Sequence, residues 1–486
     1  MNYGQFLNMI PEATLVAILI ILFFADFALN KSEKKHSVLR NLTLVLMLLQ
    51  LVPCALAAPA EVFGGLYVST AAANAMKLIL TGGSLVVCIM AQTWIENTEV
   101  ARRYEGEFYM LLVSTLLGMY VMTSSGHFLM FFLGLEMASV PMACLVAMDK
   151  WKKISAEAGA KYILTATFSS AIMLYGISFV YGACGTLYFD DAAAKMAELV
   201  SGNYYTPVFL IVGLVFFFAG LGFKLSLVPF HFWTADTYQG APTPVTGYLS
   251  VISKGAAAFA LCTILMKVFG SLTDYWEPLL YIVIVLTITI GNLFAMRQKG
   301  LKRFMAFSSI SQAGYIMLAV IGNSAMGLTA LMFYTLVYVV ANMAVFSVIS
   351  VVEHNNGGTT QRDSYAGFYQ TNPRLSLLMT LALFSLAGIP PFAGMFSKFF
   401  VFMAAAEQGS YWAYFVVFIA LINTVPSLYY YLLIVKEMYI KKTTTPLPAF
   451  QSDRATKLAL ALCTTGIVAF GIFSCVYGWL SSVTGA

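Results

Sequence analysis

The chain reads as an all-α polytopic membrane protein with about fourteen transmembrane helices. Three observations predict this. Hydrophobic residues make up 60% of the 486 positions and charged residues only 10%, with a mean hydropathy of +0.81. Soluble domains average roughly 45–50% apolar and about 25% charged residues, so a soluble chain with so few charges could not cover its surface. Apolar runs long enough to cross about 30 Å of hydrocarbon recur from end to end. The basic residues between those runs fall almost entirely on one side of the membrane.

The runs are 11–29, 39–58, 74–94, 108–124, 127–147, 155–182, 207–233, 243–268, 277–295, 303–321, 326–351, 374–406, 410–435 and 456–480, here called spans one to fourteen. They lack the two-residue alternation of a membrane barrel. The first is preceded by MNYGQFLNMIPE, with no Lys or Arg, and followed by KSEKK. That polarity is the reverse of a cleaved signal peptide and puts the N-terminus outside. Counting on from there, twenty basic residues, Lys31 among them, fall in cytoplasmic loops and only Lys195 in an external one. The C-terminus is then also external. Residues 183–206 read as a short external amphipathic helix. Four segments follow: 1–107 with three helices, 108–268 and 277–436 with five each, and 437–486 with the last.

Several function classes drop out. A net charge of +5 without a basic block predicts no nucleic-acid surface. The seven cysteines form no C-x-x-C pair, the four histidines are scattered, and no H-E-x-x-H, Walker-type or G-x-G-x-x-G pattern appears. Neither a metal site nor a redox centre is predicted in this chain. The 25 methionines and 38 phenylalanines are spread through the spans and read as packing or lipid-facing residues.

Six lysines lie inside apolar runs: Lys77, Lys161, Lys224, Lys254, Lys267 and Lys398. A lysine near mid-bilayer costs roughly 2.5–3.5 kcal/mol on insertion scales, so it needs a partner, water or a route to the interface. Lys77 and Lys267 are near span ends and are expected to snorkel to the surface. Lys161 lies two turns into span six with Glu157 one turn earlier, which fits a surface pair as well as a functional role. Lys224, Lys254, Lys398 and the carboxylate Glu136 are too deep for either surface. They read as a charge-transfer track, against the plainer alternative of a static ion pair that fixes packing.

A straight helix over 374–406 would be about 50 Å long, too long for the bilayer. Gly388-Ile389-Pro390-Pro391 is expected to break it, and Pro229 to break span seven just after Lys224. Broken spans seven and twelve are five helices apart, and an odd offset reverses direction. This suggests two inverted five-helix repeats, spans four to eight and nine to thirteen. Ser308, Ser309, Ser311, Gln312 and Tyr315 of span ten, with Tyr334, Tyr338 and Asn342 at four-residue spacing in span eleven, form either a packing surface or a hydrated polar wall. His231 reads as an interfacial cap or as a proton relay, its unperturbed pKa of about 6.5 suiting the latter.

Phe230-His231-Phe232-Trp233-Thr234-Ala235-Asp236, Tyr238-Gln239-Gly240-Ala241-Pro242-Thr243-Pro244-Val245, Ser253-Lys254, Leu135-Glu136 and Leu386-Ala387-Gly388-Ile389-Pro390-Pro391 leading to Lys398 resemble the antiporter-like subunits of proton-pumping NADH–quinone oxidoreductase (respiratory complex I), and within them the subunit N family. The likeness covers essentially the whole chain. It implies proton transfer through Glu136, Lys224, Lys254, Lys398, Lys161 and His231, with Glu136 pairing with Lys224. It also implies a bacterial cytoplasmic (inner) membrane, with subunits K and M on either side and J nearby. No cofactor is implied in this chain; flavin, iron–sulfur clusters and quinone are expected in partner subunits. A stand-alone cation/proton antiporter subunit and a purely structural membrane linker are the rival readings.

Overall fold

In the computed structural model the described residues are 3–30, 32, 34–202, 208–443, 446–473 and 475–486. Lys31 of the first cytoplasmic loop and the end of the 183–206 segment lie outside them. Thirteen helices of the described residues are long and apolar enough to cross a bilayer, from Ile10–Ala28 to Arg454–Ile472. The remaining span, twelve, is two shorter helices, Pro373–Ala387 and Ala393–Glu407. Fourteen crossings with an interrupted twelfth are therefore present. The segment after span six holds the amphipathic helix Phe189–Gly202.

Burial orders the bundle. Span ten (Leu301–Ile321) is buried along its whole length, and spans eight (Thr243–Lys267) and eleven (Ala325–Asn355) nearly so. Spans one (Ile10–Ala28) and two (Lys35–Leu56) present most of their surface outward. The polar residues of spans eight, ten and eleven are thus walled off from lipid by the other helices. Small residues let the backbones approach. A Cβ on Gly118 would sit 2.4 Å from the Ala138 nitrogen, and one on Gly134 2.5 Å from that of Met122. Spans four and five consequently pack backbone to backbone.

Both expected breaks are present. Span seven is helical over Val208–Leu225 and ends one residue after Lys224. Ser226 takes a positive φ of 60°. The freed Val228 N–H donates to Thr287 Oγ1 at 3.0 Å, and the chain resumes as the helix Phe232–Gly240. In span twelve Gly388 takes a φ of +88°, a conformation costly for residues with a Cβ. The Gly388 and Ile389 N–H groups close back on the Phe384 carbonyl. A third irregularity carries no proline: Leu249–Ser253 in span eight is a π-helical turn between Thr243–Tyr248 and Lys254–Lys267.

Two lysines depart from the sequence reading. Lys77 does not snorkel. It is fully buried because the hairpin Ala60–Val62/Tyr67–Ser69 folds over it at the start of span three. Its ammonium pairs with Glu12 at 2.7 Å. Lys302 is not a loop residue but lies in span ten, 5% exposed, where Glu353 neutralises it at 2.8 Å. Lys267 does reach the surface and pairs with Asp190 at 2.8 Å.

The two halves of span twelve are in close contact at Gly394. A Cβ on Gly394 would fall 1.7 Å from the Ser385 carbonyl oxygen, whereas one on Gly478 meets nothing within 4 Å. Gly394→Ala is expected to lower stability by roughly 1–3 kcal/mol through overpacking. Gly478→Ala, in a helix, should be neutral or stabilising by up to about 1 kcal/mol. Thermal unfolding of the two variants in detergent checks the difference.

Candidate functional site

Three lysines predicted to carry the chemistry are all buried, Lys224 at 4%, Lys254 at 2% and Lys398 at 5% exposure. Each sits beside an irregular piece of backbone. Lys224 is the penultimate residue of its helix. Lys254 directly follows the π turn. Lys398 lies in the first turns after the span-twelve break. Helix irregularity frees carbonyls that a regular helix would consume, and these solvate an ammonium where water and carboxylates are scarce.

The local partners make this concrete. Lys224 Nζ donates to Ser139 Oγ at 2.9 Å and Tyr162 Oη at 3.2 Å. Lys254 Nζ donates to Ser309 Oγ at 2.8 Å and lies 5.6 Å from the centroid of the Tyr238 ring. Lys398 Nζ donates to the Ala387 carbonyl at 2.9 Å, closing the very gap that Gly388 opens, and faces the Tyr315 ring at 5.0 Å. Hydroxyl and carbonyl dipoles and aromatic faces, rather than carboxylates, hold these three cations.

The direct Glu136–Lys224 contact expected from the resemblance is not made in the structure. Glu136 is half-buried, beside the exposed Leu133 and Val140. Ser139, one turn further along span five, takes the ammonium instead. Ser139 and Tyr162 were missed in the sequence because nothing marks a serine or tyrosine in an apolar helix as a lysine partner.

From Lys254 a run of buried polar groups leads to Lys398. Tyr238 and Ser309 hydroxyls are 3.3 Å apart. The Tyr334 hydroxyl donates to Gln312 Oε1, and Gln312 Nε2 donates to the Leu386 carbonyl at 3.3 Å, on the edge of the break. Gln312, Tyr334, Tyr338, Ser397 and Lys398 line a cavity of about 10 Å3, room for about one water. Asn342 Nδ2 donates to Ser250 Oγ at 2.6 Å. The span-ten and span-eleven residues thus form a polar wall, not only a packing surface.

His231 is the N-cap residue of Phe232–Gly240. It is 7% exposed, and its Nδ1 is buried with no protein partner, on the chain between Lys224 and Lys254. Lys161 stands apart. Its ammonium binds Glu157 at 2.6 Å and Asp236 at 2.7 Å, and the side chain is 43% exposed. Asp236 also takes Arg303 at 2.6 Å. The structure therefore places Lys161 in a half-exposed cluster that ties span six to the span-seven loop and span ten.

The NADH:quinone oxidoreductase/Mrp antiporter family model matches residues 125–423. The chain belongs to this family. Within the family, "NADH-quinone oxidoreductase subunit N" of Phocaeicola vulgatus is 55% identical over 481 residues, covering 99% of both chains. A chain of respiratory complex I from Thermus thermophilus has the same fold, with a TM-score of 0.79 at 29% identity over 97% of this chain and 99% of that one. A chain of the Mrp complex from a Dietzia species matches with a TM-score of 0.82 at 19% identity, covering 100% and 97%, which speaks to fold alone. The family match begins at span five and excludes the first four spans.

Lys161, and further Arg303, hold the Asp236 carboxyl below the usual carboxylate range, against an opposing rise from burial. A depressed pKa contributes stability above the unfolded value of about 3.9 that is lost as pH falls through the folded value. Because the cluster is half-exposed, its worth is about 0.2–1 kcal/mol. Asp236→Asn is expected to lose that amount at neutral pH and to lack this acid-side loss. Unfolding midpoints measured from pH 7 to about pH 3 test it.

Proposed function

We propose that this chain is a membrane-arm subunit of an NADH–quinone oxidoreductase and carries protons across the membrane, driven by quinone reduction elsewhere in the complex. One observation carries the reading: three buried lysines, each at a helix irregularity, on a line of buried hydroxyls and amides. A static packing device would pair each with a carboxylate, as Glu353 pairs with Lys302. Lysines held only by neutral dipoles are poised to exchange a proton, since little is lost when the charge leaves.

In this reading residues 108–268 and 277–436 are the two functional halves, with 1–107 and 437–486 flanking them. Glu136 biases Lys224 from the lateral face. When that field weakens, Lys224 releases its proton inward along the line, through His231 and water, to Lys254. The polar wall of spans ten and eleven leads it on to Lys398, beside which an outer exit lies. Buried hydroxyls and amides without a protein partner occur along this route, including Ser226, Ser253, Ser311, Tyr338 and Asn342 Oδ1. A buried polar atom left unsatisfied costs about 1–3 kcal/mol, which water at those positions removes. Each proton moved outward against 100 mV requires about 2.3 kcal/mol, an amount that displacing a pKa by about two units supplies.

Lys161 tunes the cytoplasmic end of this track through Asp236. The same reading places the chain in a bacterial inner membrane with both termini outside, beside subunits K, M and J. Flavin, iron–sulfur clusters and quinone then belong to partner subunits. A stand-alone cation/proton antiporter is the alternative, supported by the fold shared with the Mrp complex. Purification separates the two: a quinone-reducing assembly supports the first, and the chain alone with ion exchange in vesicles the second.

In the assembled complex, Lys254→Ala is expected to lower proton passage through this chain by about 100-fold or more, the usual loss for a positioned acid–base group. Glu136→Gln should reduce it and Glu136→Asp largely restore it. Proton-to-electron ratios in proteoliposomes measure this, and full ratios for both Lys254→Ala and Glu136→Gln contradict the track.

A further inference from the structure

The segment before the family match holds a second buried ionic cluster that the track above does not use. Glu12 and Lys77 pair at 2.7 Å, and both are almost wholly buried at the external ends of spans one and three. The Tyr67 hydroxyl donates to Glu12 Oε2 at 2.9 Å and accepts from Lys77 Nζ at 3.1 Å. Lys77 also donates to Ser69 Oγ at 3.2 Å. Tyr67 and Ser69 belong to the external hairpin, in which Ser69 is registered against Ala60.

That hairpin borders an opening. Asn8, Ala57, Ala58, Ala60 and Glu61 line an external cavity of about 250 Å3. Asn74, which accepts from Ser69 at 2.7 Å, donates to the Ala57 carbonyl at 3.0 Å. One residue layer therefore separates the ion pair from the outside, with an acidic side chain at the mouth.

Polar residues also continue inward. Lys77, Thr81 and Ser84 repeat along one face of span three. The Thr81 hydroxyl meets Tyr120 Oη, to which Cys54 Sγ lies at 3.0 Å. Ser84 Oγ donates to the Leu80 carbonyl of its own helix at 2.7 Å, and the Tyr248 hydroxyl accepts from Thr115 at 2.8 Å. Tyr248 leads directly into the π turn, whose Ser250 carbonyl accepts from Ser309, the hydroxyl that holds Lys254. Buried polar side chains thus occur at intervals between the central line and the cluster beneath the hairpin.

We propose that Glu12 and Lys77 form an outward proton port, a second external opening of the track that starts at Lys254 and bypasses Lys398; this rests on the proton-transfer reading above. A proton arriving past these side chains neutralises the Glu12 carboxylate and removes its hold on Lys77. The Lys77 ammonium then gives a proton, by way of Ser69, to water in the external mouth. The proton on Glu12 passes to the neutral amine, restoring the pair; one proton enters and one leaves.

The test uses the whole complex in proteoliposomes and reads protons released per electron transferred for Glu12→Gln/Lys77→Gln, Lys254→Ala and their combination. The port predicts that the double variant loses part or all of the Lys254→Ala decrement and that combining them adds no further loss. An unchanged ratio in the assembled double variant, with Lys254→Ala lowering it, overturns the port and leaves the track standing. No change in either overturns both. Should the double variant fail to assemble, Ala58→Cys labelled from outside with a bulky sulfonated thiol reagent decides, read against the labelled parent. A lowered ratio supports the port, and an unchanged one overturns it.

Discussion

An ammonium in the middle of a bilayer has to be solvated by something, and carboxylate, water and backbone are the choices. In this chain side-chain hydroxyls supply it at two lysines and a freed backbone carbonyl at the third. Lys398 is held by the Ala387 carbonyl that the Gly388 turn sets free. Lys224 and Lys254 adjoin a helix end and a π turn. A regular helix at any of these points would leave its carbonyls engaged and the lysine facing hydrocarbon. The break in span twelve is therefore what makes buried Lys398 tolerable, hydroxyls on neighbouring helices do the same for Lys224 and Lys254, and the surrounding helices shield all three from lipid.

Two styles of charge burial coexist. Lys77 and Lys302 are buried against carboxylates, Glu12 and Glu353, where removing either partner strands the other. Lys224, Lys254 and Lys398 are buried against neutral dipoles. The first arrangement favours a fixed charge, and the second leaves the protonated and neutral forms closer in free energy. Position follows the same division: the neutral-dipole lysines occupy the polar interior, while the paired ones stand toward its two membrane faces. The Glu12–Lys77 pair differs from Lys302–Glu353 in having spaced polar side chains behind it and an open mouth before it.

Much of this was legible in the sequence. Apolar run lengths report on crossings because the hydrocarbon thickness imposes a minimum length. Gly388-Ile389-Pro390-Pro391 announced its break, since proline cannot continue a hydrogen-bonded helix. The π turn before Lys254 was not legible: Leu249–Ser253 contains neither proline nor glycine, and the irregularity arises from packing. Lys77 was misread because depth along a span says nothing about a hairpin folding over its end. The expected Glu136–Lys224 pair is not formed, the ammonium going to Ser139 one turn along the same helix, and register between helices is not written in either helix alone. The family resemblance identified the lysines, whereas their neutral partners emerged only from the fold.

The most direct test is a map of the assembled membrane complex at a resolution that shows ordered water. The account predicts a continuous file from Lys224 past His231 to Lys254, and on by Tyr338 and Gln312 to Lys398, with the buried hydroxyls as its contacts. A dry, close-packed interior at those side chains, with no path between the lysines in any turnover state, would contradict it.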